Sequence, residues 1–184
     1  MRIFINDIIR TVTRSLPQGF TLAIIISVAL EYIRRRSLGG YIRSLENKKS
    51  RYLIYLLTYC YMVLYRTLLC REAIYKPLSR VWQDWGIVKS GSIKIDPSPF
   101  LGNTLMFTLL MILVLMNFSD RFKSDKDILI KCTIISFLLS LSIETMQIIT
   151  CRGTFQISDL IYNTLGGFIG CLLYTKLIGK KLNT

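Results

Sequence analysis

Residues 142–167, SIETMQIITCRGTFQISDLIYNTLGG, set Glu144, Gln147, Arg152, Asp159 and Asn163 between two long apolar flanks. An ionisable group in hydrocarbon is costly, so it faces a bundle interior or water and takes a partner. Gln147 lies three residues after Glu144 and Ser140 one turn before it, so Ser140, Glu144, Gln147 and Cys151 form one stripe on a helix. Asp159 and Asn163, four apart, form a second stripe, which Gly166, Gly167 and Gly170 continue along nearly the same side. Gly166 and Gly170 make a small-xxx-small pair, which lets another helix approach closely. Arg152 and Gly153 fall in the turn between the stripes, and Ser158 or Asp159 is placed to cap the helix that follows. The stripes are therefore expected to face each other across a helical hairpin, with Arg152 at its mouth. Glu144 would lie roughly 9 Å along the helix from Thr150.

The partners available to Glu144 are Gln147, Arg152 and Arg66, and Asn103 can join from a third helix. The spacing thus predicts an outward-facing polar cup. A plainer reading stands beside it. Taken singly, Gln147 and Asn163 are more often interhelical glue, at about 0.6 kcal/mol per hydrogen bond. Asp159 alone is more often a cap, and the glycines are more often packing. An acid and a base beneath one mouth exceed what packing needs, so pocket and glue remain the two readings.

Other chemistry is sparse. The chain has no His, and Cys60, Cys70, Cys132, Cys151 and Cys171 match no zinc or redox spacing. No metal ligand set, cofactor or catalytic residue is expected, and nothing presents a nucleophile beside a base.

The elements that position these residues follow from hydropathy. Of 184 residues, 52% are hydrophobic, and mean hydropathy is +0.44. The expected fold is all-α, a polytopic membrane bundle with about five transmembrane helices over 16–33, 52–69, 100–118, 128–150 and 157–178. Ahead of them, Ile5, Ile8, Ile9, Val12 and Leu16 fall at helical spacing, as in a short amphipathic helix lying on a membrane surface or in the first turns of the span that follows. Leu78, Val81, Trp82 and Trp85 do the same in the long connection after span two, predicting an interfacial or capping helix there.

The net charge of +13 does not point to nucleic acid, because the basic residues cluster between apolar runs without interleaved aromatics. They read as topology signals and anchors for anionic membrane lipids. The connection 34–51, RRRSLGGYIRSLENKKSR, carries seven basic residues and one acid. It is expected on the inner side, which puts the N-terminus outside, the C-terminus inside and the hairpin turn outside.

Several of these residues carry a family resemblance. SLSIETMQ followed by RGTFQISDLIYNTLGGFIG resembles the signature of VanZ-like membrane proteins. YMVLYRTLL and PFLGNTLMF resemble that family's earlier segments. Leu109 and Met111 stand where the family has Pro and Gly, and Gln156 where a first Asp is frequent. The resemblance implies a four-helix domain over 52–184, preceded by a segment 1–51 holding the amphipathic stretch, the first span and the basic connection. It also implies a bacterial cytoplasmic-membrane protein, since the family's namesake is associated with low-level resistance to teicoplanin, a lipoglycopeptide. No accepted enzymatic activity comes with it.

Three functional classes follow. The first is a resistance or envelope protein whose cup holds an anionic lipid, a lipid-linked cell-wall precursor or the lipoglycopeptide itself. The second is an enzyme acting on a lipid-linked envelope substrate, with Glu144 as acid or base. The third is a small transporter, for which the glycines of the last span are the only hint.

Overall fold

The computed structural model describes residues 2–35, 47–83, 85 and 97–178. Helix α1 spans Arg2–Arg35 and α2 spans Lys48–Leu64, continued by a wide π turn over Tyr65–Leu69. Then come α3 (Ser98–Phe118), a 3-10 turn (Ser119–Arg121), α4 (Asp125–Thr150) and α5 (Ile157–Leu173), the last also continued by a π turn (Tyr174–Ile178). Five of these helical stretches are long and apolar enough to cross a bilayer. Helices suit that setting because every backbone polar group is satisfied within the segment. The described residues contain no strand, only an isolated bridge between Ala73 and Arg152.

Local chemistry sets the helix starts. Asn47 accepts from Lys49 N at 3.1 Å ahead of α2. Ahead of α4, Ser124 accepts from Asp127 N at 3.2 Å, while Asp127 accepts from Lys123 N at 3.1 Å and pairs with Lys131 at 2.9 Å. Lys131 therefore has a local acid as well as a route to the interface.

Two expected elements take another form. The amphipathic segment is helical but not separate: α1 runs as one rod of 34 residues through Pro17. Proline removes one donor, a loss that membrane helices tolerate. Thr21 Oγ1 also donates to the Pro17 carbonyl at 2.9 Å. The predicted helix at 78–85 is instead a strap of turns, with single bonds from Ser79 N to Lys76 O and from Gln83 N to Arg80 O. Its carbonyls are engaged elsewhere. Pro77 O accepts from Phe155 N at 2.9 Å, Val81 O from Ile157 N at 3.1 Å and Gln83 O from Ser158 Oγ at 3.1 Å. Trp82 is exposed, whereas Trp85 packs edge-on against Tyr162 at 6.2 Å. The strap caps the bundle, without being a helix.

The core divides along its length. Away from the α4–α5 turn it is apolar, built from Phe107, Met111, Leu115, Ile128 and Cys132 of α3 and α4 and Cys171 of α5. Near the turn it is polar. α5 lies between α3 and α4 and uses its glycines on both sides. A Cβ on Gly166 or Gly170 would collide with the Thr104 or Thr108 carbonyl of α3, and one on Gly167 with the Ser136 hydroxyl of α4. The close approach also permits hydrogen bonds, with Thr108 Oγ1 donating to Gly166 O at 3.0 Å and Thr104 Oγ1 to Tyr162 O at 3.4 Å.

Candidate functional site

The polar end of the core is assembled by four helices. On α4, Ser140, Glu144 and Gln147 lie on the buried face, as their spacing requires. Glu144 and Gln147 are each only 1% exposed. On α5, Asp159 and Asn163 are buried on neighbouring faces. Asn163 turns to α4 and donates from Nδ2 to Ser140 Oγ at 2.9 Å. Asp159 turns to α3 and accepts from Asn103 Nδ2 at 2.6 Å. Six of the residues picked out from the sequence, Ser140, Glu144, Gln147, Asp159, Asn163 and Asn103, thus meet at one end of the bundle.

Glu144 is held in a way the spacing did not suggest. Its Oε2 accepts from the backbone N–H of Gln156 at 2.8 Å, the residue just before α5. The first turn of a helix leaves its N–H groups without intrahelical partners and carries a partial positive charge. Glu144 satisfies one of those donors from the preceding helix. Ser158, expected as a cap, instead donates to Gln83 O in the strap. Two further charges act on Glu144, those of Asp159 and Arg71.

The hairpin turn is shaped around Gln147. The α4 end has a Schellman-type bond from Arg152 N to Gln147 O at 3.1 Å, with Cys151 left-handed at φ 50°. That conformation usually falls to Gly. Gly153 follows at φ 97°, where an added Cβ would lie 3.1 Å from Gln147 Oε1. Gln147 Nε2 donates across to Thr67 O of α2 at 3.0 Å. The carbonyl is reachable because α2 ends in the π turn, where Cys70 N bonds Tyr65 O at 2.8 Å and the normal ladder is displaced.

The two arginines expected beside Glu144 lie elsewhere. Arg152 is exposed at the rim and donates from a guanidinium nitrogen to Leu69 O at 3.3 Å, tying the turn to α2. Arg66 lines a separate crevice between α1, α2 and α3. A cation whose field reaches Glu144 is Arg71, in the connection between the π turn and the strap. Sequence spacing missed Arg71, Thr67 and the Gln156 N–H for one reason: a loop charge and backbone groups have no periodicity to betray them. Cys70 and Cys151 are both free thiols and exposed.

The cluster is closed. The segment leading into the strap follows the turn through the Ala73–Arg152 bridge and the Ile74 N to Cys151 O bond of 2.7 Å. Inside, Gln147 Oε1 and Asn163 Oδ1 are buried with no hydrogen-bond partner among the described residues. Each such atom typically costs about 1–3 kcal/mol. Among the described residues no group of His, Cys, Asp and Glu is placed to hold a metal ion.

Five helices long and apolar enough to cross a bilayer, four of them enclosing a polar cluster at one end, define a multi-pass membrane protein. The chain belongs to the VanZ/LLP1 family, whose profile matches residues 52–179, from α2 to the end of α5. α1 lies outside the match. No curated protein and no solved structure matches the chain significantly.

Proposed function

We propose that the protein sits in the bacterial cytoplasmic membrane with the α4–α5 turn and its strap at the outer face, N-terminus outside and C-terminus inside. There its cationic rim, Arg71 and Arg152 over the buried polar cluster, engages an anionic group: the head of a lipid, a lipid-linked cell-wall precursor or a lipoglycopeptide. The consequence is raised tolerance to teicoplanin-like drugs, or protection of the cell envelope more generally. The orientation is supported by the strongly basic connection 34–51, which the positive-inside rule assigns to the cytoplasm.

One observation carries the functional reading. Exposed Arg152 and Arg71 stand at the end of a buried set that includes Glu144, Gln147, Asp159 and Asn163, and two amide oxygens of that set lack partners among the described residues. Helix packing alone has no use for partnerless amides, because each weakens the bundle it sits in. Arginine suits phosphate or carboxylate through its forked donors.

The test is teicoplanin susceptibility in a sensitive Gram-positive host. Wild type is compared with Glu144→Gln and Arg152→Gln at matched membrane levels. Wild type is expected to raise tolerance and both variants to lose it. Tolerance kept in both variants would leave the cluster as interhelical glue. No tolerance with wild type would remove the resistance reading.

A further inference from the structure

The stretch 153–156 carries the chain from the end of α4 to the start of α5. Its first residue lies against Gln147, since a Cβ on Gly153 would stand 3.1 Å from Gln147 Oε1. Its last lies against Glu144, whose Oε2 accepts the Gln156 N–H at 2.8 Å. Glu144 and Gln147 are three residues apart on the buried face of α4, so their side chains are neighbours beneath this stretch. Between its two ends sits Thr154, 4% exposed, whose Oγ1 accepts from Gln156 Nε2 at 3.1 Å.

These groups offer lone pairs in excess of donors. The Gln147 amide has a fixed sense: Nε2 donates to the Thr67 carbonyl, which only accepts, so the atom left without a partner is the oxygen. That oxygen faces Gly153, whose bare Cα leaves it uncovered. The Thr154 hydroxyl keeps a second lone pair beside the one taken by Gln156. Glu144 adds a formal negative charge, and among the described residues no Lys or Arg is buried. A carboxylate removed from water calls for a partner of opposite charge. Arg71 acts on it from an exposed position. Asp159, the other buried acid, turns to Asn103 on α3, so a single carboxylate stands among neutral oxygens here. Carboxylate, carbonyl and hydroxyl oxygens suit hard cations, and one charge among them matches a monovalent ion.

We propose that Glu144, Gln147 Oε1 and the Thr154 hydroxyl bind one monovalent cation of the sodium class beneath the α4–α5 turn. The site goes beyond the reading of the rim and does not rest on it: the exposed arginines attract an anion, whereas these buried oxygens take a cation. It gives the Gln147 oxygen its missing partner. It also gives Gly153 a reason beyond its φ of 97°, because a Cβ there would cover that oxygen.

The test is equilibrium dialysis of the full chain in micelles against radiolabelled sodium, with choline holding the ionic strength constant, paired with thermal unfolding in sodium chloride and in choline chloride. Wild type is expected to retain one sodium per chain, saturably, and to unfold at a higher temperature in sodium. Glu144→Gln keeps an acceptor for the Gln156 N–H but loses the charge, and should weaken retention about tenfold or more. Gln147→Met keeps the bulk but loses the oxygen, and should weaken it as well. Asp159→Asn and Arg152→Gln should leave it in place, which separates this site from the rim. No saturable retention by wild type, with equal midpoints in the two salts, would mean that water or a proton satisfies these oxygens and would overturn the proposal. So would retention unchanged in either Glu144→Gln or Gln147→Met, or loss confined to Asp159→Asn. Should Glu144→Gln fail to fold, Gln147→Met decides alone.

Discussion

The outermost helices of the chain meet their neighbours in opposite ways. The span in α1 (Ile8–Ile33) has 11% of its most apolar window buried, against 44% for the span in α5 (Ile157–Leu177). α1 packs mainly on α2 and is otherwise largely exposed, whereas α5 is clamped between α3 and α4. Lipid tails are as apolar as leucine, so burying apolar surface gives little force between helices. What holds α5 is close backbone approach and hydrogen bonding. α1 packs on α2 along a single seam of small residues, Ser15, Gly19, Ala23 and Ser27, and leaves a crevice beside it. The family match follows the same division, because it begins in α2.

Glycine replacement should break this contrast most visibly. In Gly166→Ala the new methyl meets the Thr104 backbone carbonyl, which cannot swing aside. A loss of about 3 kcal/mol, or failure to accumulate in the membrane, is expected. Gly19→Ala meets a carbonyl and a movable Tyr61 ring at 3.0 Å, and should cost no more than about 1 kcal/mol. Denaturant unfolding in micelles ranks the two, and equal losses would refute the contrast.

Next in size is Glu144. Glu144→Ala strands the Gln156 N–H at the start of α5 and should cost about 2 kcal/mol. Glu144→Gln keeps an acceptor there and should lose only about 1 kcal/mol, the charge-assisted part of the bond. The same unfolding assay checks this, and an alanine variant as stable as wild type would remove the capping role. Cys151→Gly works in the other direction. It relieves a left-handed residue at φ 50° and should stabilise the hairpin by about 1 kcal/mol. The smallest effect is expected of Asn163→Ala. It removes the bond to Ser140, worth about 0.6 kcal/mol, but also a buried oxygen with no described partner. Its midpoint should barely move, and a drop as large as that of Glu144→Ala would show that Asn163 makes more contacts than these.

Much of this was legible in the residues. Span positions followed from hydropathy, and α4 and α5 carry their polar residues at helical spacing, so the Ser140–Asn163 bond fits the expected facing stripes, whereas Asn103, expected to join Glu144, pairs with Asp159 instead. The rest depended on groups without a pattern. Gln156 meets Glu144 through its backbone N–H, Thr67 meets Gln147 through a carbonyl exposed by a π turn, and Arg71 acts from a loop. Arg66 was expected with Glu144 because both lie near the same end of their spans. Depth alone does not say which way a side chain turns, and Arg66 turns toward α1 and α3. The Trp82 and Trp85 spacing predicted a helix, but hydrogen bonds to the hairpin turn won the competition for that backbone.

The central claim is that the sealed polar end of the α3–α5 unit faces outward. Two native thiols report on it directly, since Cys70 and Cys151 are exposed at that end while Cys132 and Cys171 are buried. Intact cells would be treated with a membrane-impermeant maleimide, with a Cys70→Ser/Cys151→Ser variant as control. Labelling of wild type without permeabilisation, absent from the control, is the predicted result. Labelling that appears only after the membrane is opened would put the cluster at the cytoplasmic face and contradict the claim.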